Sequence, residues 1–478
     1  MGTIALAGRR GASAATASNG ERHSVPTFFW VRVLVAWAAG LATLRVIWVV
    51  GGEPNAFLVS MAAVLAAAAI FHTIFVQRLD RSIPLRPVIF VLVLKCAVSY
   101  GVWTTFAWSA GEHGEPTGYL LQSDQSDVIT AVNAVQQAVS YWRTTGFTPL
   151  IPESVNLTTN HRLPVHILAI PCYLSVDLPE VAIPWNAFYS IITAGCIFAV
   201  SHVEGVVRHT ARRIYYLALL MPFSWLTYGF YKDILLQACL GLVLLALVLA
   251  ANKLVLLVPI ALVSGALLYG FRLPYMFLTV LAGAYVYLAR GATRTRLMRF
   301  VVIGVLGLAL LSGTLFVDRY YSSVRSEYND QALLGAEGVK PLAFNTGPAS
   351  PLKRLVLGLL TPFPWTQPFE LGPQAYGQIP EYAQATLTLA LITVIVRKRR
   401  HPARIVSILQ PSAVFALLWM FSGIGGAVIH AGYVQVGSAF LLPYAMPQQD
   451  RPLRSALRIV LLAMLVGNAV WLLIRFIR

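Results

Sequence analysis

Residues 56–76 read AFLVSMAAVLAAAAIFHTIFV, 21 consecutive positions without a charged side chain. Crossing about 30 Å of bilayer hydrocarbon takes roughly 20 mostly apolar residues in a helix. This run is apolar on all faces and does not alternate, so its backbone hydrogen bonds have to close within a helix and not around a β-barrel. Comparable runs recur at 28–50, 87–109, 184–204, 214–231, 233–251, 254–271, 274–289, 298–317, 382–397, 405–428, 436–447 and 456–476. The expected fold is therefore all-α, a polytopic transmembrane helix bundle of about 12–14 spans. Two further apolar pieces, 163–178 and 354–366, contain proline and are too short to cross alone, which points to re-entrant or interfacial segments.

The whole chain has the same character. Of its 478 residues 57% are hydrophobic and only 12% charged, far from the usage of soluble domains, so length here counts spans and not soluble domains. The formal charge of +17 raises the question of nucleic acid, but most Lys and Arg flank the ends of apolar runs, where the positive-inside rule expects them. No nucleic-acid partner is expected; the lipid bilayer is. Cys96, Cys172, Cys196 and Cys239 lie in or beside apolar runs without paired metal-ligand spacing, so neither a disulfide framework nor a metal site is expected. Residues 1–27, rich in Gly, Ala, Ser and Arg, read as a disordered cytoplasmic tail, because the apolar run that follows is too long for a cleavable signal. Residues 28–478 form a single transmembrane domain on this reading.

Five cation clusters orient the chain: Arg78, Arg81 and Arg86; Arg208, Arg212 and Arg213; Arg290 to Arg299; Arg397 to Arg404; and Arg451 with Arg454. All five fall on one side if the spans alternate, which puts the N-terminus in the cytoplasm. Two long polar segments, 110–163 and 318–381, then face outward, and loops of that length in a compact bundle are often functional.

Ionisable residues at or within spans are expensive and so are functional candidates. Lys232 and Asp233 form a lone polar pair between two apolar runs; the plain alternative is a mutually neutral pair that turns a hairpin. Arg272 lies on the outer side against the positive-inside trend. Its guanidinium suits a phosphate or carboxylate through two parallel hydrogen bonds, or else snorkels to headgroups. In the first outer segment Asp124 and Asp127 precede a helical stretch, where a carboxylate also caps a helix N-terminus. A carboxylate beside an incoming hydroxyl serves as general base, with His161 or His166 as rivals. The second outer segment is basic and includes Arg325 and Arg354, suited to gathering pyrophosphate or simply to solvation and headgroup contact. His430 and Gln435, in a short late outer connection, are secondary candidates, the common case there being a structural histidine. No phosphate-cradling Gly-rich loop, metalloprotease His-Glu pair or nucleophile elbow is present, so ATP hydrolysis is not expected.

Several pieces in order resemble bacterial multi-pass membrane glycosyltransferases of the C-type superfamily and related polysaccharide-polymerase-like proteins. These are the acidic segment with Asp124 and Asp127; Pro184-Trp-Asn-Ala; Met-Pro-Phe-Ser-Trp-Leu-Thr-Tyr-Gly-Phe-Tyr-Lys-Asp at 221–233; Phe-Arg-Leu-Pro-Tyr at 271–275; and Pro-Phe-Pro-Trp at 362–365. The resemblance implies sugar donors carried on polyprenyl phosphate, with Lys232, Asp233 and Arg272 at the donor phosphate. It implies transfer at the outer face of a bacterial inner membrane to build a cell-surface polysaccharide, with no metal or other cofactor and with polysaccharide export or assembly proteins as possible partners. The connection after the first span is only Gly-Gly-Glu-Pro-Asn, which keeps the polymerase-like branch open. The rivals are a flippase or transporter of lipid-linked sugars and a non-catalytic subunit of an assembly complex. Polar groups gathering at one face, with no visible repeat, favour the enzyme.

Overall fold

The computed structural model describes residues 29–51, 55–112, 126–148, 162–176, 179–226, 232–250, 254–269, 375–398, 437–446 and 454–463, with isolated positions at 279, 282–283, 415–416, 419–420 and 466. Every regular element among them is helical. The main helices in chain order are α1 (Phe29–Gly51), α2 (Ala56–Leu79), α3 (Leu85–Glu112), α4 (Ser126–Thr145), α5 (Arg162–Leu174), α6 (Ala182–Val203), α7 (Arg208–Leu219), α8 (Lys232–Ala250), α9 (Leu254–Tyr269) and α10 (Ala375–Lys398).

Among the described residues, five helices are long and apolar enough to cross a membrane: α1, α2, α3 over Leu85–Thr104, α6, and α8 over Asp233–Ala250. They coincide with five of the expected runs. Large apolar side chains stay exposed along α1 (Leu34, Val46), α3 (Phe90, Val98) and α9 (Leu262, Val263), which suits contact with lipid chains and not with water. The chain is thus a helical membrane protein.

Helix α6 is the hub. Its apolar window is wholly buried although it is the least apolar of the five, because Asn186, Ser190, Thr193 and Ser201 turn their polarity into the bundle. Helices α2, α3, α7 and α8 pack around it. The Pro184-Trp-Asn-Ala piece lies in its first turns, where Trp185 meets Trp37 edge-on at 6.5 Å and Phe188 at 6.1 Å. Gly205, at φ 77°, ends α6: the Val206 N–H bonds the Ser201 carbonyl and the Gly205 N–H that of His202, a left-handed close that glycine makes without strain.

Small residues let the helices approach. A Cβ on Gly40 would stand 2.7 Å from Cβ of Ala67 and 3.3 Å from the Ala63 carbonyl, so α1 and α2 close on a glycine–alanine seam. Replacing Gly40 with Val is expected to separate this seam at a cost of about 1–3 kcal/mol. The measurement is the unfolding midpoint in detergent, and an unchanged midpoint would refute the close approach.

The expected span 214–231 is not one helix. Helix α7 stops at Leu219, and a 3-10 turn follows at Pro222–Trp225. Proline forces Met221 before it into an extended conformation (φ −55°, ψ 130°), which helix geometry does not allow. Hydropathy treats Met-Pro-Phe-Ser-Trp as apolar and misses the break. The piece 163–178 appears as α5, 13 residues with Pro171 inside, too short to cross. Of the expected run 436–447, residues 437–445 are helical without a break, a 3-10 turn at Ala439–Leu441 running directly into a short helix at Leu442–Ala445.

The expected common side of the cation clusters has partial counterparts. Asp80, in the turn between α2 and α3, holds Arg208 and Arg212 of α7, and Arg397 at the end of α10 donates to Ser455 Oγ at 3.3 Å. Each contact joins two of the clusters at one place.

Candidate functional site

Lys95 sits near the middle of α3, about 14 Å along the helix from either end of Leu85–Thr104. It is fully buried. Its Nζ donates to Ser190 Oγ of α6 at 2.9 Å and to Ser224 Oγ of the 3-10 turn at 2.7 Å, and lies 5.7 Å from the centre of the Trp225 ring. Two hydroxyls and an aromatic face therefore take the place of a counter-ion, since no carboxylate among the described residues pairs with it. An unpaired ammonium held away from water is costly, and residues of that kind inside a membrane mark working parts.

The broken helix is satisfied by side chains. Ser224 Oγ donates to the Met221 carbonyl at 2.6 Å, and the Phe223 N–H donates to Gln384 Oε1 of α10 at 3.1 Å. Gln384 Nε2 in turn donates to Ser438 Oγ at 2.9 Å. Irregular backbone at membrane depth is tolerated when its polar groups are met this way, inside protein. Lys95, Ser190, Ser224, the Phe223 N–H, Gln384 and Ser438 thus form one buried polar chain through five separate segments. The sequence reading put polarity at one face; the structure adds this interior cluster.

A second polar group lies where α6 begins. Trp103 Nε1 donates to Glu180 Oε1 at 3.1 Å, and Ser60 Oγ donates to the neighbouring Val181 carbonyl at 2.7 Å. The other carboxylate oxygen of Glu180 is buried and takes no hydrogen bond from a described residue, an arrangement that calls for a specific explanation. The same end carries a helical cap, α4 packed on α5, with α5 also touching α1, α6 and α8. Trp142 of α4 is buried against Tyr173 of α5, edge-on at 5.7 Å, and Phe147 at 4.9 Å, while Phe147 keeps an exposed face.

The opposite end is electrostatic. Asp80 Oδ1 accepts from Arg208 Nη2 at 2.7 Å and Arg212 Nη2 at 3.2 Å, and Oδ2 is engaged by Arg212 Nε. It also takes the Ser82 N–H and hydroxyl at 3.0 and 2.7 Å. Burial by itself would raise this carboxyl, but the hydrogen bonds from Arg208, Arg212 and Ser82 outweigh it and hold Asp80 well below the usual carboxylate range.

Of the residues singled out from sequence, Asp233 has a described side chain, half-buried in the first turn of α8. Lys232 opens the same helix and Asp127 falls in the first turn of α4, but both side chains lie outside the described residues. His166 packs beside Trp142, ring centres 6.1 Å apart. Asp124, His161, Arg272, Arg325, Arg354, His430 and Gln435 lie outside the described residues. Sequence reasoning passed over Lys95, Glu180 and Asp80. Lys95 had a signal, being the one charged residue within the run 87–109. Glu180 and Asp80 had none, because their burial depends on distant segments.

No family model matches the chain, and no curated protein or solved structure matches it.

Proposed function

We propose that this chain is a membrane glycosyltransferase or polymerase that uses a polyprenyl-phosphate-linked sugar to extend a cell-surface polysaccharide at the outer face of a bacterial inner membrane. One juxtaposition supports this most. Helix α5, which closes the long polar segment carrying Asp124, Asp127 and His161, touches α8, whose first residues are Lys232 and Asp233. The helix that follows the acidic segment is thus packed against the helix that opens with the cationic candidate, and Glu180 lies just after α5 in the chain. In the reaction the acceptor hydroxyl oxygen bonds to the anomeric carbon as the bond from that carbon to the lipid phosphate breaks. Lys232 and Arg272 hold the negative charge that develops on the departing phosphate. A carboxylate or histidine takes the hydroxyl proton, and Glu180 joins Asp124, Asp127 and His161 as a candidate.

A second reading, a flippase of lipid-linked sugars, is favoured by a different observation. The helix break at Pro222–Trp225 and the buried Lys95 lie inside the bundle, as in transporters whose sites form at discontinuous helices near mid-membrane.

The deciding experiment compares lipid-linked glycans and surface polysaccharide in cells with the intact protein, without it, and with Arg272→Ala. Loss of long polymer in both defective strains, with lipid-linked units accumulating on the outer leaflet, is the expected result. Units held on the inner leaflet would establish the flippase instead, and unchanged glycans would remove both readings.

A further inference from the structure

Arg78, Arg81 and Arg208, with Leu79, line a cleft of about 360 Å³ at the end of the bundle where α2 finishes and α7 begins. We infer that this cleft is a binding site for a phosphate group, carried either by an anionic lipid headgroup or by a soluble phosphate or diphosphate. The inference is independent of the proposed function, none of whose residues lines this cleft.

The positive-inside tendency accounts for arginines near this end but not for their convergence on one cavity. Two segments far apart in sequence meet here because Asp80, fully buried, bonds Arg208 and Arg212. That carboxylate is engaged by these two guanidinium groups and by Ser82, which leaves Arg78 and Arg81 exposed on the cleft without a carboxylate partner among the described residues. Gathering like charges around a cavity is unfavourable unless an anion shares it, and low-dielectric walls focus the field there. Guanidinium forks match phosphate oxygens through paired hydrogen bonds, and basic pockets at helix ends are a known seat for phosphate headgroups. The cavity lies at the small end of the range for ligand sites, which suits a headgroup and not a large organic molecule. Its place at the termini of α2 and α3 is the level at which headgroups lie.

The test uses the purified full chain and reads its unfolding midpoint in two arms at constant ionic strength. One arm titrates inorganic pyrophosphate into protein in neutral detergent; the other compares nanodiscs of phosphatidylcholine with nanodiscs containing phosphatidic acid. A saturable rise of about 2–4 °C in either arm is expected, and the responding arm identifies the source of the phosphate. Arg78→Gln with Arg81→Gln removes the rise, with the ligand-free midpoint unchanged or raised as the mutual repulsion of the arginines is relieved. If that double variant does not fold, Arg78→Lys with Arg81→Lys replaces it, retaining charge but losing the fork, and its half-saturation point moves several-fold higher. No rise in the intact protein in either arm, or an equal rise in the variants, overturns the site.

Discussion

On the proposed function, Lys95→Met is expected to give a folded protein that no longer forms polymer, with the unfolding midpoint unchanged or raised. The stability side follows from the partners. Ser190 Oγ donates to the Ala187 carbonyl at 2.7 Å and Ser224 Oγ to the Met221 carbonyl at 2.6 Å, so neither hydroxyl loses its acceptor when the ammonium goes. Met has the length and flexibility to fill the space, and replacing buried charge by packed apolar atoms is often neutral or stabilising, by up to about 1–4 kcal/mol. The activity side follows from position. Lys95 ties α3 and α6 to the turn whose continuation leads to Lys232 and Asp233, and a displacement of about 1 Å at a reacting centre costs on the order of 10²-fold. Polymer formed in cells and the midpoint of the purified variant are the two readouts. Full polymer with an unchanged midpoint would show that the interior cation has no part in function.

The five long apolar helices were legible in the sequence because each run is apolar all round, the simplest of patterns. The break at Pro222 was also written there, in a proline that cannot continue a helix, yet average hydropathy concealed it. The site was far less legible. Lys95 meets Ser224 across 129 residues and Asp80 meets Arg208 across 128, and no local pattern announces contacts of that separation. Reading charges by their distance from span ends found Lys232 and Asp233, but it passed over a lysine in the centre of a span, which the cost of burying charge marks most strongly. Glu180 was hidden for a related reason: its burial comes from Trp103, on a helix 77 residues earlier. Hydropathy reports the lipid-facing surface of a bundle well and its polar interior poorly, as α6 illustrates by being both the least apolar and the most buried of the five.

Asp80→Asn is expected to lower the unfolding midpoint by several degrees and to flatten its dependence on acid. The side chain is wholly buried, and removing its charge leaves Arg208 and Arg212 beside Arg78 and Arg81 without compensation. Breaking a fully buried pair costs about 3–5 kcal/mol, but Arg208 and Arg212 are 47% and 35% exposed, so solvent screening reduces the expected loss to about 1–3 kcal/mol. The sign with pH is fixed by the direction of the shift. Because the folded carboxyl lies below its ordinary value, its contribution is present in full above the unfolded pKa of about 4 and is lost as pH falls further toward the folded value. The intact protein therefore loses stability on acidification through this range, while Asp80→Asn, which has no proton to gain, loses less over the same interval. Thermal unfolding at neutral pH and near pH 3 measures both effects, and parallel acid dependence in the two proteins would show that the Asp80 brace does not stabilise the fold.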